Sequence, residues 1–553
     1  MGLFFLDYGA GNVQSLANSL KKLGYDFQWI TSPDDFHKAT SLIFPGVGAF
    51  ESAIVALESR GLLDPLREYI KSGKPYFGIC IGMQVLFEAS TESPKVKGLG
   101  IIPCVIDLFD NSDKAVPHIG WNSVDLLDSA DKSDEGLDSS SDYYFVHSYR
   151  APYDPDNNPA TAEWAHSVTQ YGQEVFIASV RKGNVFGAQF HPEKSGEAGL
   201  KIIAAWLGES EALRSNAPPT PRVSRPPRSK DGLTKRIVAC MDVRSNDAGD
   251  LVVTKGDQYD VREKTPSAPG KTEIGGAVRN LGKPVALAAK YYAAGADELC
   301  LMNITSFRHS PLRDQPMLAV VRAAAEEVFV PLTIGGGIKD TTDPDGTRRS
   351  ALDVASLYFR AGADKVSIAS EAVYAVERML KNGGPDGTSA IETIAHAYGR
   401  QAVVVSIDPR RVYVDPNYDG PHKDELILGK GDEEGKAWWY QCTTSGGREN
   451  RDLSVVQLAK GVEKLGAGEL VLNSIDRDGT GKGFDIDLIQ LVRRNVRIPM
   501  IASSGAGTAA HFVEVFHKTG VEAALAAGIF HRGEVGIDEI KNAVSVAGLN
   551  ARR

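Results

Sequence analysis

Residues 236–243 read RIVACMDV, and residues 402–410 read AVVVSIDPR. Both are apolar runs that stop at an aspartate, Asp242 in the first and Asp408 in the second. Continuous apolar runs of this length suit central strands of a parallel sheet, buried on both faces. Three further runs of the same kind also recur. ELCLMNITSF (298–307) returns as ELVLNSIDRDG (469–479), VPLTIGGGIKD (330–340) as IPMIASSGAGT (498–508), and GADKVSIAS (362–370) as GVEAALAAGIF (520–530). Four βα units given twice make eight, and this length of chain predicts a (β/α)8 TIM barrel with insertions. The polar, glycine-rich stretches 256–283, 340–350, 380–389 and 411–450 read as surface loops.

Outward from the barrel, residues 214–230 (RSNAPPTPRVSRPPRSK) hold five prolines, five basic residues and no acid. Proline density removes backbone donors and favours extended chain, so this stretch predicts a semi-rigid linker. The expected division is 1–213 for a first domain, 214–233 for the linker and 234–553 for the barrel. The first domain alternates short apolar runs with amphipathic stretches. LFFLDYG precedes a helix near 12–23, SLIFPGVG one near 50–59, and KPYFGICIG one near 82–90. This alternation predicts α/β architecture with an open, largely parallel sheet.

The whole chain has 553 residues, a formal net charge of −10, and 42% hydrophobic and 24% charged residues. That balance argues against nucleic-acid binding driven by bulk positive charge. No apolar run approaches the ~20 residues of a membrane helix, and the first residues read as a buried strand, not a leader. Five scattered cysteines do not make a disulfide framework; they point to a reducing, cytoplasmic setting.

Three pieces of the first domain carry chemistry. In YFGICIGMQ (76–84) a strand meets a helix at Cys80, flanked by Gly78 and Gly82, the layout of a nucleophile elbow. The helix start beside it favours thiolate. In GAQFHPEKS (187–195), His191 and Glu193 stand two apart and face one side of an extended segment. His191 is a candidate general base and Glu193 the group that fixes its tautomer. In PGVG (45–48), Val47 and Gly48 offer backbone amides which, with Ile81, form a candidate oxyanion hole.

In the barrel, Asp242 and Asp408 end strands one and five, half a turn apart, so both carboxylates are expected at one mouth. A carboxylate pair suits acid–base chemistry, with Asp242 as base and Asp408 as acid. No clustered His or Cys marks a metal site, and no cofactor is expected. Gly-rich turns follow four strands: Gly336 and Gly337; Asp478, Gly479 and Thr480; Ser503 and Gly505; Ala527 and Gly528. Ala369 and Ser370 end a fifth, and Lys255 follows strand one. Exposed amides in two opposed sets predict a substrate with two phosphates. Arg236, Glu298, Lys365 and Glu469 each open a strand, roughly 20 Å from the mouth at six residues of rise. They predict a neutral ring at the barrel's base, either a stability device or a passage.

The cysteine, histidine–glutamate and PGVG motifs, in this order and spacing, resemble the class I glutamine amidotransferases over residues 1–210. KRIVACMDV, GGGI, VVVSID, SIDRDGTGKG and IASSGAG resemble the cyclase of histidine biosynthesis. Together the chain resembles the fused imidazole glycerol phosphate synthases of fungi and plants. The resemblance implies glutamine hydrolysis at Cys80, with Gln84, His147 and Ser148 in the glutamine pocket. It implies ammonia passing the ring of four charges from a docked glutaminase. It also implies conversion of PRFAR, a nucleotide with a phosphate at each end, to imidazole glycerol phosphate and AICAR. Three positions depart from the family, Gly528 among them, standing where Ser is common. Asn303 ends strand two where bacterial cyclase subunits carry Asp, and Ser504 stands where Gly is common. The rival readings are a barrel that makes pyridoxal phosphate, which needs strand-end lysines, and a sister isomerase, which leaves the glutaminase motifs unexplained.

Overall fold

The computed structural model describes residues 2–9, 11–127, 136–208, 222–245, 251–254, 283–304, 316–343 and 345–552. Eight parallel strands form a closed barrel: Arg236–Ser245, Glu298–Asn303, Leu332–Gly335, Lys365–Ile368, Val403–Ile407, Glu469–Asn473, Met500–Ser503 and Ala523–Ala526. Each pairs with the next in that order, and the eighth closes on the first through Arg236 opposite Ala523. The repeat expected from sequence is this ring of strands.

Alternation along the strands sorts the side chains. On strand one, Ile237, Ala239, Met241 and Val243 join the outer core beneath the helices. Val238 and Cys240 face the lumen, where they meet Cys300, Val404, Val471, Ile501 and Ala523. The period of two along a strand therefore puts Arg236 and Asp242 on the same inward row, at opposite ends.

The first domain holds an eight-stranded sheet in the order Gln28–Ile30, Leu3–Leu6, Ser41–Phe44, Tyr76–Ile79, Val185–Ala188, Glu174–Lys182, Ala165–Tyr171 and Asp125–Leu126. The first five strands are parallel and joined by crossovers; the last three run antiparallel. The parallel expectation thus holds for one half, and tight turns at Gly172 and Gly183 reverse the chain in the other. The helices near 12–23 and 50–59 are Val13–Lys22 and Phe50–Ser59. The helix expected near 82–90 stops after Ile81–Gln84, and Phe87–Ser90 is a strand paired with Ile102–Leu108. Pairing along that edge outweighs the helical bias of an apolar run, because it satisfies the backbone of both segments.

Two of the expected loops have structure of their own. Residues 411–450 fall within an antiparallel sheet of Pro409–Val414, Ala437–Thr444, Glu449–Ser454 and Ile427–Leu428, with Trp438 and Tyr440 buried. Residues 340–350 contain a small hairpin, Thr341–Thr342 with Arg348–Arg349. Residues 380–389 remain a connection after the helix Ser370–Asn382, and 256–282 lie outside the described residues.

The two domains meet over the base of the barrel. Asn12 donates from Nδ2 to the Gly362 carbonyl at 2.9 Å and to Asp364 Oδ1 at 2.8 Å. Asn18 donates to the Ala325 carbonyl at 2.9 Å. Lys194 pairs with Asp364 at 2.8 Å. The Trp121 indole donates to the Asp297 carbonyl at 3.0 Å, and Arg552 stacks over its ring. Ile119, Trp121, Tyr144 and Val146 of the first domain belong to the same apolar cluster as the barrel's outer core. The described part of the linker lies along the first domain: Tyr153 donates to the Val223 carbonyl, and Gln170 exchanges hydrogen bonds with the Arg228 backbone.

Candidate functional site

Cys80 sits at the end of the strand Tyr76–Ile79 with φ 50° and ψ −103°. A non-glycine residue there stores roughly 1–3 kcal/mol of strain, which the surroundings must hold. They do so through its backbone: Cys80 N–H donates to the Ala188 carbonyl at 2.7 Å, and its carbonyl accepts from Met83 and Gln84. The flanking glycines serve close approach and not the turn itself. A Cβ on Gly82 would lie 2.0 Å from the Phe44 carbonyl oxygen, and one on Gly78 2.3 Å from the Gly82 oxygen.

His191 Nδ1 meets Glu193 Oε1 at 2.7 Å, and both side chains are buried. Burial works against a charged ring, but Glu193 and Cys80 outweigh it and hold the imidazolium pKa well above its ordinary value. That balance favours a protonated imidazole beside Cys80. At the PGVG turn, the Tyr8 hydroxyl donates to the Val47 carbonyl at 2.9 Å, which fixes the Val47–Gly48 peptide. Ile81 follows Cys80 directly, on the same turn.

Of the predicted glutamine pocket, Ser148 keeps a buried Oγ without a hydrogen-bond partner among the described residues, as expected of a group that awaits a ligand. Gln84 and His147 differ. Gln84 donates to the Tyr149 carbonyl and to Gln189, and His147 spends both ring nitrogens on Tyr149 and His118. They form the wall behind the thiol. Gln189, whose amide reaches the Cys80 sulfur at 3.5 Å, was not singled out in the sequence. It lies between strand and histidine in GAQFHPE, and its position there was the one available signal.

At the barrel base, Arg236 donates to Glu298 at 2.7 Å and also to Glu469. Lys365 completes the circuit, 2.7 Å from Glu298 and 2.5 Å from Glu469. The four predicted residues therefore form one closed, buried, neutral ring. Burial opposes each charge; Glu469 and Glu298 nonetheless raise the Arg236 pKa, and Arg236 and Lys365 lower that of Glu469. Two residues join the ring unannounced by the sequence. Thr333 donates to Glu298 Oε1 at 2.6 Å. Tyr144 of the first domain is fully buried, within the electrostatic reach of Glu298, Arg236 and Glu469.

Above the ring, a cavity of about 360 Å³ runs up the lumen. Glu298 and Thr333 line its foot, Val238, Cys300, Val471 and Ile501 its wall, and Asp242 and Asp408 its head. The two aspartates thus share one mouth. Burial, then the charge of Asp478, pushes Asp242 up to about 6. Burial also raises Asp408, while Asn473, donating at 2.8 Å, pulls it back. Neither carboxylate forms an ion pair among the described residues.

A second cavity of about 390 Å³ opens beside Asp242. Asp478, Gly479, Thr480, Ser503, Gly505, Ala527 and Gly528 all line it, so three separate turns build one recess, with Arg532 as an added cation. Ser504 adopts φ 73°, the left-handed conformation that makes glycine the common choice there. The other set, Gly336, Gly337, Ala369 and Ser370, ends adjacent strands three and four. Asn303 points away from the mouth and hydrogen-bonds Tyr358 on an outer helix, so it supplies no auxiliary group to the site. Lys255 lies outside the described residues. A larger crevice of about 1130 Å³ follows the seam between domains and holds none of the predicted residues. Among the described residues no group of His, Cys, Asp and Glu is arranged to hold a metal ion.

Comparison with known proteins gives two family matches. Residues 4–207 match the glutamine amidotransferase class-I family, and residues 236–536 match the family described as histidine biosynthesis protein. A protein of Emericella nidulans named imidazole glycerol phosphate synthase hisHF is 52% identical over 99% of this chain and 98% of its own length. Its counterpart in Schizosaccharomyces pombe is 50% identical over 98% of each chain. The Arabidopsis thaliana protein, named as chloroplastic, is 52% identical over 97% of this chain and 87% of its own.

Proposed function

The chain belongs to the family of fused imidazole glycerol phosphate synthases, and from that premise we propose how its two sites divide the work. It is an enzyme of histidine biosynthesis that joins a glutaminase to a cyclase. Cys80 attacks the side-chain amide of glutamine, and the Val47, Gly48 and Ile81 amides receive the oxyanion. His191, held by Glu193, protonates departing ammonia and then activates water against the thioester. Ser148 contacts the substrate.

Ammonia then enters through the ring of Arg236, Glu298, Lys365 and Glu469 and climbs the lumen as the free base, shielded from protonation by water. At the mouth PRFAR lies with one phosphate in the recess of Gly479, Gly505 and Gly528 and the other at Gly337 and Ser370. Asp242 acts as base, since a pKa near 6 leaves it mostly ionised at neutral pH. Asp408 acts as acid; burial and Asp478 raise its pKa, while the Asn473 hydrogen bond lowers it. The products are imidazole glycerol phosphate and AICAR. The glutaminase spans 1–213 and the barrel 234–553, with 214–233 the linker. The setting is the cytoplasm, which the five free cysteines favour; among the described residues no helix is long and apolar enough to cross a membrane.

The observation that carries this reading is the lumen cavity that joins the buried ring to the two aspartates. The test follows glutamate and AICAR together, with glutamine or with ammonia as nitrogen source. Cys80→Ala should lose glutamine-dependent turnover and keep the ammonia-dependent reaction. Equal loss of both in a folded variant would refute the division.

A further inference from the structure

Beyond strand eight the chain reads GIFHRGE over residues 528–534. Gly528–His531 is a single helical turn, anchored by buried Ile529 and Phe530, and Arg532 caps it. The Arg532 N–H donates to the Gly528 carbonyl at 3.0 Å. Residues four apart share a helix face, and helical side chains lean toward the N-terminus, so Arg532 covers position 528. Its guanidinium fills the place a side chain there would take. A Cβ on Gly528 would lie 2.8 Å from Arg532 Nη1 and 3.5 Å from its Cζ. Gly528 is not among the residues of positive φ, so glycine serves here for space and not for backbone conformation.

Gly533, at φ 65°, turns the chain back and brings Glu534 to the same side chain. Arg532 Nη2 donates to Glu534 Oε2 at 2.6 Å, and Nε donates to Oε1. The carboxylate thus grips one edge of the planar fork, and Nη1 lies on the side of Gly528. The recess that Gly528 lines is acidic apart from this group. Asp242, Asp478 and Glu534 supply three carboxylates, and among its described lining residues Arg532 is the one cation. His531 does not add a second. Its Nδ1 meets the Tyr291 hydroxyl at 2.5 Å, and burial, then the charge of Arg532, holds its pKa down to about 4. Backbone amides alone would offer a phosphate dianion a site ringed by like charge.

We propose that Arg532 is a phosphate-binding residue of the barrel mouth, and that position 528 is glycine so that this guanidinium can enter the recess. The fork donates from Nη1 to a phosphate oxygen beside the amides of the three turns. It supplies the charge that offsets the recess's carboxylates. This rests on the reading of the recess as a phosphate site for PRFAR, and it names the charged group in that site.

The experiment measures kcat and KM for PRFAR in the full chain, with ammonia as nitrogen source. The Arg532 side chain is 38% exposed, so replacing it tests binding and not folding. Arg532→Ala should raise KM about 10-fold, the lower end of the worth of a hydrogen bond to a charged group, with kcat less affected. Arg532→Lys keeps the charge without the fork and should recover part of the loss. Rising ionic strength should raise the wild-type KM more than that of Arg532→Ala. Gly528→Ser requires only the far end of a flexible side chain to move, so the fold is kept while the guanidinium is pushed aside; KM should rise. In the Arg532→Ala background the same serine meets no guanidinium and sets a hydroxyl in the vacated space, so KM should fall. That reversal of sign requires the two positions to share one space at the ligand. An unmoved KM in Arg532→Ala would overturn the proposal, as would a serine that acts equally in both backgrounds. A loss of kcat at wild-type KM would overturn it too. Wild type that fails to convert PRFAR with ammonia would sink the functional reading itself.

Discussion

At the base of the barrel four buried charges close on one another, while at the mouth two half-buried carboxylates form no ion pair among the described residues. The same strands supply both: strand one carries Arg236 at its foot and Asp242 at its head. At the foot, Glu469 and Glu298 hold Arg236 charged, and Arg236 and Lys365 hold Glu469 charged. At the head, burial raises both carboxylates, and Asp242, at about 6, can change its protonation near neutral pH, which acid–base work requires. Pairing and burial both distinguish the two ends.

The sharpest way to break this contrast is at the mouth. Asp242→Asn and Asp408→Asn should each cut PRFAR conversion about 10²–10⁴-fold with glutamine or ammonia. Wild-type cyclisation should weaken as pH falls through about 6, where Asp242 takes up its proton. Near-normal turnover with ammonia in either variant would remove that residue from the chemistry.

The base should fail differently. Lys365→Met leaves Glu298 and Glu469 with Arg236 alone, and breaking a buried pair costs about 3–5 kcal/mol. Glutamine-dependent product should fall more than ammonia-dependent product, and glutamate should exceed AICAR as ammonia escapes. A 1:1 ratio in this variant would reduce the ring to a structural device.

Stability sharpens the contrast further. The folded pKa of Asp242 lies above its unfolded value, from 3.8 to about 6. The fold therefore favours the protonated form, and stability is lost as pH rises through that window. Asp242→Asn should be more stable than wild type by about 1–2 kcal/mol at pH 8, with the difference closing toward pH 4. Denaturant unfolding at the two pH values checks this. The smallest effect is expected of Thr333→Val, which removes one hydrogen bond from Glu298, worth about 1 kcal/mol. Its ratio of glutamate to AICAR should stay close to wild type.

The barrel was legible because four apolar runs recur in the two halves of the domain, the first of each closing on an aspartate. Period-two alternation alone then carries Arg236 to the base and Asp242 to the mouth. Cys80, His191 and Glu193 were legible as local patterns. Gln189, Thr333 and Tyr144 were not, since each matters through a partner distant in sequence: Cys80, Glu298 and the ring. The strand Phe87–Ser90 and the sheet around Trp438 escaped for a related reason. An apolar segment's choice between helix, strand and loop is decided by the edge it finds, which local composition does not carry. Asn303 was read at the strand's end without its parity, and parity turns it outward to Tyr358.

The end of the linker touches both domains: Arg228 bonds Gln170 of the first, and the Asp231 and Leu233 carbonyls accept from Asn550 of the second. Thr234 N–H donates to the Trp121 carbonyl at 2.9 Å, and Lys235 N–H to the Asn550 carbonyl at 2.8 Å; Arg236 of the ring comes next. The covalent connection between the domains thus lies one residue from the buried ring. In a hinged body, displacement grows with distance from the axis. Were the domains to swing about that connection, contacts farther out, such as Ser52 with the His396 carbonyl and Arg360 with the Gly9 carbonyl, would travel the most and the ring the least.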